Sequence, residues 1–92
     1  SNANMQSTLK YLSSDDEYNT CMGLLDDAIV KYNSAIASFN TAAQTYARYV
    51  QTGKDYYADA FDTEFTSAYN AYNDAQNAIT DFFYDYAMWR DV

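Results

Sequence analysis

The chain has 92 residues, the size of one small domain, with 13 acidic residues against 5 basic ones and a net charge of −8. With no His and a single Cys, it cannot build a His-based catalytic triad, a His and Cys metal site or an internal disulfide. Its negative charge argues against binding to nucleic acid, which requires basic side chains to neutralise phosphates, and against binding to anionic membranes. No apolar run reaches the roughly 20 residues of a membrane span. We therefore expect a non-enzymatic domain with no cofactor and no bound metal.

The first residues predict two features. Ser1-Asn2-Ala3 resembles the remnant of a cleaved expression tag, so we expect residues 4–92 to form a single domain. The native part begins at Asn4 rather than Met, which favours an excised module or a secreted, extracytoplasmic protein. Met5, Leu9 and Leu12 have the i, i+4, i+7 spacing of a short N-terminal helical segment.

A first long helix is predicted over residues 14–52. Ser14 and Glu17 have the spacing of a capping box at its start, and Gly53 is suited to the left-handed residue that ends it. Between these signals, apolar side chains recur at alternating spacings of four and three, which is typical of a coiled-coil heptad seam. The seam residues are Tyr18, Met22, Leu25, Ile29, Tyr32, Ile36, Phe39, Ala43, Tyr46 and Val50.

A second long helix is predicted over residues 55–90, with Asp55 as its cap. Its seam residues are Ala58, Phe61, Phe65, Ala68, Tyr72, Ala75, Ile79, Phe82, Tyr86 and Trp89. The short connection at 53–54 makes the pair an antiparallel helical hairpin, in an all-α fold. Folding about this turn sets residue i near residue 107 − i or 108 − i, so that Tyr46 meets Phe61 and Phe39 meets Ala68.

Two helices bury only one seam, and further apolar rows flank it. A row of small residues would let another helix approach closely, so we expect it to be the interface of a homodimer that completes a four-helix bundle. This predicted dimer strip consists of Cys21, Ala28, Ala35 and Ala42.

Tyrosine crowds the turn, in a chain with 11 Tyr. Tyr offers a large contact area at low entropic cost and is enriched at recognition surfaces. The alternative is that Tyr only replaces Leu as filler in a chain poor in aliphatic residues. The candidate interaction patch consists of Tyr46, Tyr49, Tyr56, Tyr57 and Arg48.

Three carboxylates near the turn are the only metal candidates. Asp55, Asp59 and Asp62 share one helical face and could bind a hard cation such as Ca²⁺. The same acids compensate the positive end of the helix dipole, and that interpretation is favoured.

The leading functional hypothesis is a helical protein–protein interaction or structural module that binds its own copy or another helical protein. In size and hairpin outline, the chain also resembles the WXG100 family, which implies a small secreted hairpin protein. The family's Trp-x-Gly turn motif is absent, because Gln51 rather than Trp lies two residues before Gly53. The family's C-terminal Tyr-x-x-x-Asp/Glu signal is absent as well, because Arg90 rather than an acid lies four residues after Tyr86. A third hypothesis is an acidic immunity or antitoxin-like protein that binds a basic toxin.

Overall fold

A computed structural model describes residues 14–91 and the side chains of residues 16–90. Helix α1 spans Ser14–Thr52, helix α2 spans Asp55–Asp91, and the two pack antiparallel as a hairpin. The predicted helices at 14–52 and 55–90 are confirmed to within one residue. The predicted N-terminal segment around Met5, Leu9 and Leu12 lies outside the described residues.

The turn follows from one glycine. Gly53 has φ of 66°, in the left-handed region that glycine adopts without a Cβ clash. Its N–H donates a hydrogen bond of 2.7 Å to the carbonyl of Tyr49, which is the αL pattern of helix termination. Asp55 is already the first residue of α2, and the N–H of Tyr57 donates to the carbonyl of Lys54 at 3.0 Å. Gly53 therefore ends α1 as predicted.

The fully buried side chains are all small. Ala35 of α1 is 2% exposed and Ala75 of α2 is not exposed at all. The buried residues of α1 recur every seven positions, which keeps them on the side that faces α2. The complete set among the described side chains is Cys21, Ala28, Ala35, Ala42, Ala68, Ala75 and Ala78.

The dimer assignment of the small-residue strip is thereby corrected. Cys21, Ala28, Ala35 and Ala42 are buried against α2 within a single chain, and they do not form an outer surface. Small side chains permit two helices to pack closely, and in this structure they lie between the two helices of one hairpin.

The register follows the predicted pairing near the turn. The rings of Tyr46 and Phe61 are 5.3 Å apart, as the sequence predicted. Phe39 was expected against Ala68, but its ring lies 5.7 Å from Phe65, edge to face. Rings pair with rings beside the seam because the alanines occupy its centre.

The hairpin is one layer thick. Its dimensions are 63 × 16 × 16 Å, and its radius of gyration of 20.0 Å far exceeds the roughly 12 Å of a compact domain of this length. Neither α1 nor α2 is long and apolar enough to cross a membrane. Since no further element of the described chain lies over the pair, each helix keeps an uncovered side.

Substituting Gly23 should stabilise the protein. Gly23 lies inside α1, and a Cβ built there meets no atom within 4 Å. Gly23→Ala should therefore raise the free energy of unfolding by up to about 1 kcal/mol and the melting temperature by about 4–8 °C. The matched control is Gly53→Ala, which should destabilise because its φ is positive. Thermal melts followed by circular dichroism test both, and an unchanged melting temperature for Gly23→Ala would contradict this account.

A charge in the small-residue strip should open the hairpin. Ala35→Glu places a carboxylate between α1 and α2, where it is too large and has no partner, so it should cost on the order of 3 kcal/mol or more. Ala37→Glu, on an exposed position of the same helix, is the control and should change stability by less than about 0.5 kcal/mol. Urea titrations measure both. Equal effects would show that the strip is not the core.

Candidate functional site

One side of the hairpin carries the large apolar side chains, and we call it the aromatic face. The ring pairs Tyr32–Tyr72, with centroids 6.2 Å apart, and Phe39–Phe65 join the two helices on this side. Because positions seven apart share one face of a helix, four heptad rows define it. In α1 the rows are Tyr18, Leu25, Tyr32, Phe39, Tyr46 and Met22, Ile29, Ile36, Ala43, Val50; in α2 they are Ala58, Phe65, Tyr72, Ile79, Tyr86 and Asp55, Asp62, Tyr69, Gln76, Phe83, Arg90.

The aromatic face is exposed. Ten of the fourteen exposed large hydrophobic side chains lie on it, and Ile36 and Phe83 are 55% and 61% exposed. Scattered apolar residues are ordinary on protein surfaces, but contiguous apolar patches mark interaction sites. The concentration on one side therefore identifies this face as the principal candidate site.

The rings of the face have ring neighbours along α2. Tyr69 and Tyr72 of the face have centroids 6.5 Å apart, and two further rings of the face contact rings outside its rows: Phe65 lies 5.6 Å from Phe61, and Tyr86 stacks on Phe82 at 5.9 Å. The hydroxyl of Tyr72 accepts a 2.8 Å hydrogen bond from the side-chain amide of Gln76. Such contacts restrict the ring rotamers, which lowers the entropic cost of binding a partner.

The opposite side of the hairpin is polar. The hydroxyl of Thr45 lies 2.8 and 2.7 Å from the two carboxylate oxygens of Glu64, and this hydrogen bond links α1 to α2. Lys31 and Asp27 form an ion pair at 3.0 Å. A depression of about 190 Å³ lies beside these groups, lined by Ser38, Thr41, Thr63, Glu64 and Ser67.

Charge is divided unevenly between the two sides. Among the described side chains, the rows of the aromatic face hold two acids, Asp55 and Asp62, and one base, Arg90. The guanidinium of Arg90 lies over the ring of Tyr86, 5.7 Å from its centroid. The face therefore carries a formal charge of only −1 although the chain carries −8, and most of the acids lie outside its rows.

The predicted turn patch divides into two groups. Tyr46 contacts Tyr49, with centroids 6.5 Å apart, and belongs to the end of the aromatic face. Tyr56 and Tyr57 form a separate pair with centroids 4.2 Å apart, and the ammonium of Lys54 lies 5.9 Å from the Tyr56 ring.

The exposed Tyr56 pair has a perturbed acidity. A side-chain hydrogen bond with Tyr57 raises the pKa of Tyr56, with smaller contributions from burial and from the charge of Tyr57. Arg48 acts in the opposite direction, so its guanidinium is electrostatically coupled to this pair. The raised pKa favours the protonated form of Tyr56, which keeps its hydrogen bond with Tyr57.

The open end of the hairpin holds the only cysteine. Burial, followed by the negative charge of Asp85, raises the pKa of the Cys21 thiol. A cavity of about 180 Å³ lies nearby, lined by Glu17, Asp85, Met88 and Trp89. A buried thiol with a raised pKa is the opposite of an activated nucleophile.

The acids considered for a cation are spread along α2. Asp55, Asp59 and Asp62 are exposed. Within residues 14–91, no group of three or more His, Cys, Asp or Glu side chains is arranged to hold a metal ion.

Comparisons of the chain with protein-family models, with curated proteins and with solved structures found no match. The function is therefore inferred from the surfaces described above.

The orientation of the aromatic face differs from the prediction. The sequence pattern places Ile29, Ile36 and Phe65 in the seam between the helices, whereas they are exposed beside it. The available signal was the recurrence of Ala at 28, 35 and 42 and at 68 and 75, since Ala at every seventh position marks a close helix–helix contact.

The reactivity of Cys21 should report on this environment. In the folded protein, 5,5′-dithiobis(2-nitrobenzoic acid) at pH 8 should react with Cys21 about 10-fold or more slowly than in guanidinium chloride, because burial limits both access and thiolate. Asp85→Asn should speed the folded reaction, since removing the negative charge lowers the pKa. Asp81→Asn, an exposed acid on the same helix, is the control. Equal rates in the folded and unfolded protein would contradict the burial of Cys21.

Proposed function

We propose that this protein is a non-enzymatic helical interaction module whose binding surface is the aromatic face. The observation that carries the proposal is the segregation of exposed large apolar side chains, such as Ile36 and Phe83, to one side of a two-helix layer. Covering that side removes apolar area from water, which is the dominant favourable term in association.

We propose its own copy as the partner. Two hairpins packed through their aromatic faces form a four-helix bundle, in which each helix has two neighbours and the polar sides remain in water. A chain of 92 residues has a limited core, so association supplies stability that one hairpin lacks.

The groups available for chemistry support a binding role. The chain has no His, and the Cys21 thiol is buried with a raised pKa. Glu64, the carboxylate beside the polar depression, accepts the hydrogen bond of Thr45. A general base paired with an exposed nucleophile, as covalent catalysis needs, is not among the described contacts.

The solution mass tests self-association. Light scattering after size exclusion should give about 21 kDa, twice the 10.5 kDa of one chain. Ile36→Glu should give a monomer that keeps its helical circular dichroism, because Ile36 is exposed in the hairpin. The matched control is Val30→Glu on the same helix, since Val30 is 62% exposed and outside the aromatic face.

A mass of 10.5 kDa at every concentration would contradict self-association. The aromatic face would then be assigned to a different helical protein. Dissociation by Val30→Glu but not by Ile36→Glu would contradict the choice of face.

A further inference from the structure

One row of the aromatic face has a symmetric chemical order. The second row of α2 begins with Asp55 beside the turn, and from there it reads Asp62, Tyr69, Gln76, Phe83 and Arg90, a segment that is symmetric about Gln76. About Gln76, each ring has a ring as its counterpart, and the acid at one end has a base at the other. Such a row is complementary to itself when it is reversed, which is what an isologous two-fold contact requires.

We infer that two copies pair head to tail, by which we mean that the turn end of one copy lies beside the open end of the other. In this two-fold arrangement, α2 runs antiparallel to the partner's α2 and the axis passes beside Gln76. Asp62 then faces Arg90 of the partner subunit, and Tyr69 faces Phe83 of the partner subunit. The inference rests on the proposed self-association and adds its orientation and register. Each charge contact occurs twice because the axis repeats it.

The rows of α1 fit the same axis. The contacts Tyr32–Tyr72 and Tyr46–Phe61 set Ile29 level with Gln76. A head-to-tail pair then packs Ile29 against its own copy, and Met22 against the partner's Ile36. All are apolar, so the α1 half of the interface is dry where the axis crosses it.

The dimensions suit a stable interface. Asp62 and Arg90 are 28 residues apart, or about 42 Å along the helix. With a width of 16 Å, the overlap covers roughly 650 Å² per copy in projection, near the 800 Å² per partner of a standard interface.

Charge favours a second copy in this orientation. Each copy carries −8, but the overlapping segment from Asp62 to Arg90 carries one acid and one base, and Asp55 lies beyond the overlap, so the contact brings no like charges together. In the alternative orientation, in which the two turn ends lie together, Asp62 would lie at the same height along the bundle as Ala43 of the partner subunit. That arrangement desolvates the carboxylate against a methyl group without a counter-charge.

Disulfide trapping distinguishes the orientations. In a Cys21→Ala background, Gln76→Cys should form a covalent dimer under mild oxidation, because the axis sets residue 76 beside its copy. Asn73→Cys, exposed on α2 outside the aromatic face, is the control and should stay unlinked. Asp62→Cys mixed with Arg90→Cys should link as a heterodimer after subunit exchange, whereas Asp62→Cys mixed with Ala43→Cys should not.

Charge reversal gives a second measurement. Asp62→Arg should raise the dissociation constant of the dimer about 5-fold or more at low salt. The two-fold axis would then create two contacts in which an Arg at position 62 faces Arg90 of the partner subunit. Adding Arg90→Asp in the same chain should restore the dissociation constant to within about 2-fold. The difference should shrink at high salt.

The outcomes separate the two proposals. A dimer in which residue 62 links to residue 43, or in which residue 76 stays unlinked, overturns the head-to-tail arrangement and leaves self-association intact. A protein that is monomeric by light scattering overturns the self-association itself.

Discussion

The burial of small side chains between the two helices is the constraint on which the rest of this structure depends. Cys21 and the alanines at every seventh position of α1, together with three alanines of α2, are the described side chains withdrawn from water. Helices that pack against each other through methyl groups leave no space between them for a ring or a charged side chain. Every larger side chain therefore lies beside the seam. The position of the rings is therefore a consequence of where the alanines are.

This displacement divides the surface into two chemically different sides. Beside the seam on one side, rings such as Phe39 and Phe65 meet edge to face and leave their outer edges exposed. On the other side, Thr45 and Glu64 close the seam with a hydrogen bond. Within residues 14–91, no second layer covers the apolar side, and this exposed side is the basis of the proposed binding function.

Much of the fold could be predicted from the sequence, because the helical periodicity and the helix-terminating Gly53 are local signals. The bounds of both helices followed from them, and so did the Tyr46–Phe61 pairing beside the turn. The rotation of each helix could not be predicted by following the largest apolar side chains. Large and small residues lie in adjacent rows, and burial goes to the row that permits the closest packing. Ile36 was thus assigned to the interior although Ala35 occupies it.

The proposed head-to-tail arrangement would give the turn a role of its own. The axis beside Gln76 would lie about 33 Å from the turn but only about 22 Å from the start of α1 and the end of α2. The turn of each copy would therefore extend about 10 Å beyond the helices of its partner, and the Tyr56–Tyr57 pair with its Lys54 contact would lie outside the helix overlap. The two-fold axis would place two such tyrosine pairs at opposite ends of the dimer. The proposed dimer would thus present the same aromatic, hydrogen-bonding surface twice, and a partner with two copies of one site could bind both ends.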